Sequence, residues 1–222
     1  MSEQFVVVTG ANRGIGLALT KEYLRRGCEV LALCRKASEA LRETKAALLT
    51  GIDVADAATM PLIQEHLGTR TIDILINNAG ILHSECLGVI DFTQVTRQLE
   101  VNSVAPLRVT ETLLDNLQPG SKVALITSRM GSITDNESGG YYGYRMSKAA
   151  LNSAGMSLSH DLKPKGVAVA ILHPGFVQTD MVANAGDVSP QSAAENLIHR
   201  IDELSLENSG TFWHASGEVL PW

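Results

Sequence analysis

Short apolar runs alternate with amphipathic segments along the chain, and this alternation predicts its architecture. Runs of aliphatic and β-branched residues favour strands, because such side chains pack well on a buried, pleated surface. The segments between them carry apolar residues three and four positions apart, which is typical of helices with one buried face. Strands alternating with helices predict a single α/β domain over residues 1–222, built on a doubly wound, mostly parallel sheet.

The boundaries of these elements follow from the ends of each pattern. Strands are predicted at residues 5–9, 29–34, 47–52, 72–76, 121–127 and 166–173, with an edge strand from residue 212. Helices are predicted from the turn at residues 10–16 to Gly27, at 56–67, 91–117 and 144–163, and from Pro190 onward. Asp56 and Ser189 are suitable N-caps, and Pro164 ends the helix before it.

Composition and charge restrict the class of protein. With 45% hydrophobic and 19% charged residues, the chain is typical of a compact folded protein. The net charge is −6 without any basic run, whereas nucleic-acid binding needs clustered lysine and arginine. No apolar stretch approaches membrane-spanning length, and the first residues do not resemble a signal peptide. With 3 cysteines, an odd number, these features predict a cytoplasmic protein without nucleic-acid or membrane partners.

The first predicted strand runs directly into a glycine-rich turn and then into a helix. The turn reads Gly-Ala-Asn-Arg-Gly-Ile-Gly over residues 10–16. Gly10 permits the tight turn, Gly14 lets the backbone approach a pyrophosphate, and Gly16 allows the helix to pack closely on the strand. The helix N-terminus then offers N–H groups to the phosphates. This strand–turn–helix context predicts a Rossmann-like dinucleotide-binding unit.

The end of the second predicted strand bears on the choice of dinucleotide. NAD sites usually place an acid there for the ribose 2′-hydroxyl, whereas an arginine accommodates a 2′-phosphate. Here Cys34 is followed by Arg35, and Arg13 lies within the glycine turn. Two guanidinium groups suit one phosphate and favour NADP(H) over NAD(H), although both could instead be solvated surface charges. After the third strand, the carboxylate of Asp53, next to Val54, could accept a hydrogen bond from an adenine amino group.

Two amide motifs occupy the middle of the chain. Asn77, Asn78, Ala79 and Gly80 follow the fourth predicted strand, where small and amide residues let a ligand lie across the sheet. An ordinary turn uses the same residue types. Asn102 lies within a predicted helix, where an amide is mildly disfavoured. It is therefore either a hydrogen-bonded core residue or a functional one.

Candidate proton-transfer groups lie between residues 128 and 148. Tyr144 and Lys148 are four residues apart at the start of a predicted helix, so their side chains share one face, about 6 Å apart along the axis. An ammonium favours phenolate; lowering a phenol pKa from about 10 to near 7 takes roughly 4 kcal/mol. Such a tyrosine could give a proton to a carbonyl or take one from an alcohol, and Ser128, at a strand end, could bond the same oxygen. Taken alone, Tyr-x-x-x-Lys is also a common helix-surface pair.

Two features of the last third remain outside this chemistry. Residues 175–189 form a natural lid between the last long strand and the final helix. His173 is interpreted as a strand-end residue, not as a ligand or a base, because no partner pattern surrounds it. Trp213 and Trp222 are predicted to pack against the protein or to mediate association.

Taken in order, these motifs resemble the short-chain dehydrogenase/reductase family, and the resemblance covers essentially the whole chain. The matching residues are Thr9 to Gly16, Asp53, Asn77 to Gly80, Asn102, Ser128, Tyr144 with Lys148, and Pro174-Gly175 with Thr179. Segments 128–133, 142–152, 173–181 and 217–222 are further similar to C-factor and Sniffer-type carbonyl reductases. The chain departs from longer members in its short 175–189 lid, which argues against a large substrate such as a steroid.

The resemblance implies an NADPH-dependent reductase of a small ketone or aldehyde. Tyr144 would be the general acid/base, and Ser128 would polarise the substrate oxygen. Lys148 would lower the pKa of the tyrosine and bind the nicotinamide ribose, while Asn102 would hold a water of the proton relay. The implied cofactor site consists of Gly10, Asn12, Arg13, Gly14, Ile15, Gly16, Arg35, Asp53, Val54, Asn78, Ala79, Gly80, Tyr144, Lys148, Pro174, Gly175, Val177 and Thr179.

Other readings of the same resemblance stay open. One is a dinucleotide-binding signalling or sensor protein with little turnover, against which a complete Ser–Tyr–Lys–Asn set argues. Another is a different reaction of the family, such as epimerisation or dehydration. The family also leads us to expect association through the helices near 92–116 and 144–163, as a dimer or a tetramer, although a monomer fits equally well.

Overall fold

A parallel sheet forms the centre of the computed structural model, which describes residues 4–222; Met1, Ser2 and Glu3 lie outside the described residues. Over that range the sheet has 7 strands in the order β3-β2-β1-β4-β5-β6-β7. The strands are β1 (Phe5–Thr9), β2 (Glu29–Leu33), β3 (Ala47–Leu49), β4 (Ile72–Asn77), β5 (Leu117–Ile126), β6 (Ala168–His173) and β7 (Phe212–His214). The predicted Rossmann-like, doubly wound sheet is confirmed. Its direction of winding reverses between β1 and β4, where open α/β sheets bind ligands.

Helices cover both faces of the sheet. They are α1 (Gly14–Arg25), α2 (Glu39–Arg42), α3 (Met60–Leu67), α4 (Phe92–Leu99), α5 (Ala105–Thr112), α6 (Tyr142–Leu162) and α7 (Pro190–Asp202). The predicted caps are confirmed, because the Asp56 carboxylate accepts from Ala58 N–H and the Ser189 hydroxyl accepts from Ser192 N–H. From residue 4 onward, no helix is both long and apolar enough to cross a membrane.

Alternating side chains of the strands divide the core into two layers. Val6 and Val8 of β1 pack in the layer covered by α1 and α7, whereas Phe5 and Val7 pack in the layer covered by α3, α5 and α6. This follows from the two-residue period of a strand. Because both faces are buried, the strands read as continuous apolar runs rather than as alternating ones.

Several predicted boundaries are wrong. The third strand ends at Leu49 rather than Ile52, because Gly51 adopts φ +80°, outside strand geometry. β5 begins at Leu117, earlier than the predicted residue 121. Helix α6 begins at Tyr142 rather than Tyr144. The early start of α6 is explained by Glu85, in the loop after β4, which accepts a hydrogen bond from Gly143 N–H in the first turn of the helix.

The helix predicted at 91–117 is interrupted in the middle. α4 widens into a π-helical turn at Glu100–Val104 before α5 begins, and α5 ends at Thr112. Pro106 explains the widening, because it has no N–H and cannot make the α-helical hydrogen bond to the Asn102 carbonyl. Asn102 therefore lies in a π-turn, a feature that is rare and is frequent at functional sites.

Candidate active site

The glycine turn is built by close backbone packing. Gly10 has φ +66°, and a Cβ there would lie 2.8 Å from Ala79 Cα. A Cβ on Gly16 would lie 2.3 Å from the Gly10 carbonyl oxygen. Neither position has room for a side chain, as the sequence predicts. The turn after β1 thus lies directly against the chain that leaves β4, at the edge where a dinucleotide is expected.

Thr9 joins this turn to the amide motif after β4. Its hydroxyl accepts hydrogen bonds from the backbone N–H groups of Asn78 (3.0 Å) and Ala79 (3.1 Å). The Asn78 side chain donates in return to the Thr9 carbonyl at 3.0 Å. The amide motif is thus held at its predicted place over the sheet edge. Thr9 was predicted only as part of the motif; a hydroxyl at a strand end next to a glycine turn is the signal that identifies its role.

The first turn of α1 is suited to an anion. Arg13 occupies its N-cap position but makes no capping hydrogen bond with its side chain, so no side chain of its own competes for the N–H groups near Ile15. The Asn12 carbonyl accepts from Ser38 Oγ at 2.6 Å, which ties the turn to the loop after β2. A Cβ on Gly14 would lie 3.2 Å from Thr179 Cγ2, so the loop after β6 reaches the same place.

Two of the residues predicted for the adenosine half, Arg13 and Asp53, already have protein partners. The Arg13 guanidinium lies 3.3 Å from the Asp180 carboxylate, and both side chains are largely exposed. Arg35 is exposed at the end of β2. The Asp53 carboxylate accepts from Ala55 N–H at 3.0 Å and from Arg97 Nη2 at 3.1 Å. A phosphate bound by Arg13 would therefore replace Asp180 as its partner. Val54 is buried beside this group.

Tyr144, Lys148 and Ser128 come together at the carboxyl end of β5. Tyr144 and Lys148 lie on one face of α6 and are only 8% and 4% exposed. The Lys148 ammonium is 5.8 Å from the centre of the tyrosine ring and donates to the Ile126 carbonyl at 2.9 Å. Ser128 follows β5 and hydrogen-bonds the phenol. The arrangement brings a phenol, a hydroxyl and an ammonium to one buried place.

The acid–base behaviour of this group differs from the prediction. Burial raises the pKa of Tyr144 above its ordinary value, and the Ser128 hydrogen bond opposes this only in part. Burial also lowers the pKa of Lys148 to about 8. The predicted fall of the tyrosine pKa is thus absent in the protein by itself, because the ammonium bonds the Ile126 carbonyl rather than the phenol. The phenol therefore stays protonated at neutral pH.

Asn102 is fully buried and makes three side-chain hydrogen bonds. Its Oδ1 accepts from Ile81 N–H at 2.8 Å, and its Nδ2 donates to the Ile81 carbonyl (2.8 Å) and to Ser147 Oγ (2.9 Å). One lone pair of Oδ1 is left. A Cβ on Gly80 would lie 3.3 Å from this oxygen and 3.8 Å from Lys148 Nζ. Asn102 is thus a satisfied core residue, and both its side-chain oxygen and the Lys148 ammonium lie next to Gly80.

The loop after β6 completes the edge of the site. Gly175 has φ +91°, and it follows Pro174 directly. Val177 is buried and pairs with Val188, so the predicted lid at 175–189 folds back on itself. His173 lies at the end of β6 with its ring 5.0 Å from that of His214. Burial, with His214 and Arg129 nearby, lowers the pKa of His173 to about 3, which fits its interpretation as a strand-end residue.

Comparison with known proteins identifies the class to which this fold and site belong. A model of the family described as short chain dehydrogenase matches residues 4–189. The chain belongs to that family, and the resemblance drawn from its motifs is confirmed. It is 37% identical over 223 residues to 1-hydroxy-2-glutathionyl-2-methyl-3-butene dehydrogenase of Rhodococcus sp. (strain AD45), covering 98% of this chain and 99% of that protein.

Further relatives agree with the predicted subgroup. The C-signal of Myxococcus xanthus is 44% identical over 157 residues, which cover 69% of this chain and 95% of that protein. Carbonyl reductase Sniffer of D. melanogaster is 28% identical and superposes with a TM-score of 0.90 over the whole of both chains. The NADPH-bound carbonyl reductase from chicken fatty liver, also 28% identical, gives 0.89 over the whole of both chains. The protein therefore belongs to a family of oxidoreductases, and carbonyl reductases are among its structural neighbours.

Proposed function

We propose that this protein is an NADPH-dependent reductase of small ketones or aldehydes, with Tyr144 as its general acid. The observation that carries the proposal is the buried phenol of Tyr144, hydrogen-bonded to Ser128 and close to the Lys148 ammonium. A phenol with a raised pKa is protonated at neutral pH, which is the state that can donate to a carbonyl oxygen. The NADPH-bound carbonyl reductase among the structural neighbours supports the same reaction class.

The described residues fit a dinucleotide. Gly10 and Gly16 have no room for a Cβ, and the first turn of α1 has no side-chain cap, so backbone N–H groups can meet a pyrophosphate. Arg13 and Arg35 would hold the 2′-phosphate of NADP(H), in preference to NAD(H). The remaining contacts would come from Asn12, Gly14 and Ile15 at the phosphates, Asp53 and Val54 at the adenine, Asn78, Ala79 and Gly80 near the riboses, and Pro174, Gly175, Val177 and Thr179 at the nicotinamide.

The reaction then divides between cofactor and protein. When bound, the reduced nicotinamide supplies the hydride for the carbonyl carbon. The Ser128 hydroxyl donates a hydrogen bond to the substrate oxygen, and Tyr144 gives that oxygen its proton. The Lys148 ammonium stabilises the phenolate left behind. Pro106 leaves the main-chain carbonyl of Asn102 without its α-helical donor. A water bound to this carbonyl would return a proton to the Tyr144 phenolate.

A second candidate is a dinucleotide-binding signalling protein with little turnover. It is favoured by the 44% identity to a protein named C-signal, over 69% of this chain. The buried phenol argues against it, because a sensor needs no proton donor. The Rhodococcus relative is named a dehydrogenase, which is compatible with the reverse reaction. In that direction, Tyr144 would take a proton from an alcohol while the alcohol is oxidised.

The test is turnover with the full chain. NADPH oxidation is followed at the nicotinamide absorbance against small aldehydes, diketones and quinones, and NADPH binding is measured separately by fluorescence. Turnover of at least one carbonyl class supports the reductase. Tight NADPH binding without turnover of any of them favours the signalling protein, and no binding overturns both. We further propose a cytoplasmic location. The oligomeric state is a separate question, and size-exclusion chromatography of the full chain decides between monomer, dimer and tetramer.

A further inference from the structure

A short loop segment connects the cofactor edge to the start of the catalytic helix α6. It follows Gly80, and every second residue of it is hydrogen-bonded to a neighbouring helix. Ile81 is held by Asn102, and His83 N–H donates to Gln98 Oε1 at 2.8 Å. Glu85 then contacts the first turn of α6 itself. Gln98 and Asn102 are four residues apart, so both amides project from one helical face.

Glu85 accepts the hydrogen bonds that the N-cap residue of α6 does not provide for the start of the helix. Its carboxylate accepts from Gly143 N–H at 3.1 Å, and its main-chain carbonyl accepts from Tyr141 N–H at 3.0 Å. Tyr141, at the N-cap position, has φ +51° and makes no side-chain capping bond. The first N–H groups of a helix need acceptors, and here they come from a loop 58 residues earlier in the chain. This contact explains why α6 starts at Tyr142.

The carboxylate of Glu85 is completely buried, and its partners are specific. Its side chain is 0% exposed. One oxygen accepts from Gln98 Nε2 and the other from Gly143 N–H. The ionisable group facing it is His83, whose side chain is half-exposed and whose Nδ1 is 3.6 Å away. A buried charge is costly without full hydrogen bonding, so this constellation is stable only as a complete set.

The packing around Gly143 is equally specific. A Cβ at this position would lie 2.5 Å from Gln98 Nε2 and 2.9 Å from Val95 Cα. The hydrogen-bonded side chains of Glu85 and Gln98 therefore pack directly against the backbone that precedes Tyr144. On the other side of Tyr144, Asn102 donates to Ser147 Oγ, which donates to the Tyr144 carbonyl at 2.8 Å. The backbone of Tyr144 is thus held from both sides.

We propose that Glu85, with Gln98, is a positioning residue for the Tyr144 phenol. The inference rests on the proposed function, because it concerns the placement of the acid in that reaction. Glu85 contacts the first turn of α6 just before Tyr144, so we expect it to affect turnover more than cofactor binding. A displacement of about 1 Å at a reacting group can cost roughly 100-fold in rate.

The hydrogen-bond directions provide a sharp test. Glu85→Gln places an amide donor where Gln98 Nε2 and Gly143 N–H both need an acceptor, so one donor faces another donor. The double variant Glu85→Gln with Gln98→Glu restores every bond: the new carboxylate accepts from His83 N–H and from the new amide, whose oxygen accepts from Gly143 N–H. We expect the single variant to lower kcat about 10-fold or more and the double variant to recover most of it, with the NADPH Kd changed less than about 3-fold in both.

A matched control is Glu65→Gln, which removes one charge from the exposed side of α3. Hydrogen exchange of residues 139–146 is measured in parallel without substrate, so that it does not depend on turnover. Faster exchange in the single variant and recovery in the double variant support the inference. The inference is overturned if Glu85→Gln keeps the wild-type kcat. It is also overturned if the double variant has no higher kcat than the single variant, or does not fold. A wild-type protein that binds NADPH but reduces no carbonyl refutes the proposed function instead, and the exchange result still decides whether Glu85 positions α6.

Discussion

The glycine turn after β1 and the start of helix α6 are built in different ways. The turn at residues 10–16 is formed by consecutive residues, and its shape depends on missing side chains at Gly10 and Gly16. The start of α6 is held by buried side chains from two other segments: Glu85 of the loop after β4, and Gln98 and Asn102 of the helix that follows it. A site made of backbone is encoded locally. A site made of side chains depends on the whole fold.

The two regions also differ in how they treat charge. At the adenosine end, Arg13 and Asp180 form an exposed ion pair, which contributes little to stability because water screens it. At α6, Tyr144 and Lys148 are buried. Burial raises the pKa of Tyr144 and lowers that of Lys148, so it favours the neutral form of each. In the proposed function, charge at the first region would serve binding, whereas burial at the second would keep the phenol protonated for proton transfer. Four variants test this contrast.

The largest expected effect is that of Tyr144→Phe. It removes the proton donor but keeps the ring, so we expect kcat to fall about 1,000-fold while the NADPH Kd stays within about 2-fold. The measurement is steady-state NADPH oxidation together with fluorescence titration. The matched control is Tyr23→Phe, since the buried Tyr23 hydroxyl has no hydrogen-bond partner among residues 4–222. Retention of more than a few per cent of activity in Tyr144→Phe would exclude its role as the acid.

The next effect is expected from Gly16→Ala, in the backbone-built region. The new Cβ would lie 2.3 Å from the Gly10 carbonyl, so the turn must move. Overpacking costs about 1–3 kcal/mol, which corresponds to a rise in the NADPH Kd of roughly 5- to 150-fold. Gly120→Ala is the control, because its Cβ meets nothing within 4 Å and only its φ of +95° is strained. We expect the control to lose stability but to bind NADPH normally; equal binding by Gly16→Ala would contradict the packing argument.

Lys148→Met tests the buried region through its pH dependence. Because the folded pKa of Lys148 is about 8 and the unfolded one is near its ordinary 10.5, the unfolded chain binds the extra proton between these values. The unfolding free energy of the wild type should therefore rise with pH relative to Lys148→Met, by about 2 kcal/mol from pH 8 to 9.5. Urea unfolding at several pH values measures this. Lys165→Met, at an exposed position, should show no such trend, and a flat difference for Lys148→Met would refute the lowered pKa.

The smallest effect is expected from Arg35→Ala. An exposed guanidinium contributes a charge-assisted bond to the 2′-phosphate, so NADPH should bind about 10-fold more weakly while NADH binding changes little. Parallel titrations with both cofactors measure this, and Lys21→Ala on α1 controls for the loss of one positive charge. Equal losses for NADPH and NADH would remove the assignment of Arg35 to the phosphate.

Local sequence motifs predicted more of the glycine turn than of the surroundings of Tyr144. Gly10, Gly14 and Gly16 were identified from a single strand–turn–helix context, because each acts through its own backbone. Glu85 and Gln98 were not identified, since a glutamate in a loop and a glutamine on a helix carry no pattern that indicates burial. The interruption at Asn102 had a signal in Pro106, four residues later, which forbids the α-helical hydrogen bond.

The sequence by itself determined the fold class, the succession of strands and helices along the chain and the motifs that follow the strands, because periodicity and glycine turns act over short distances. It also predicted that Tyr144 and Lys148 share a helical face. Only the tertiary structure decided the protonation of that pair, since desolvation depends on every segment packed around it. It likewise decided where α6 begins, because the acceptor for its first N–H groups lies 58 residues away in the chain.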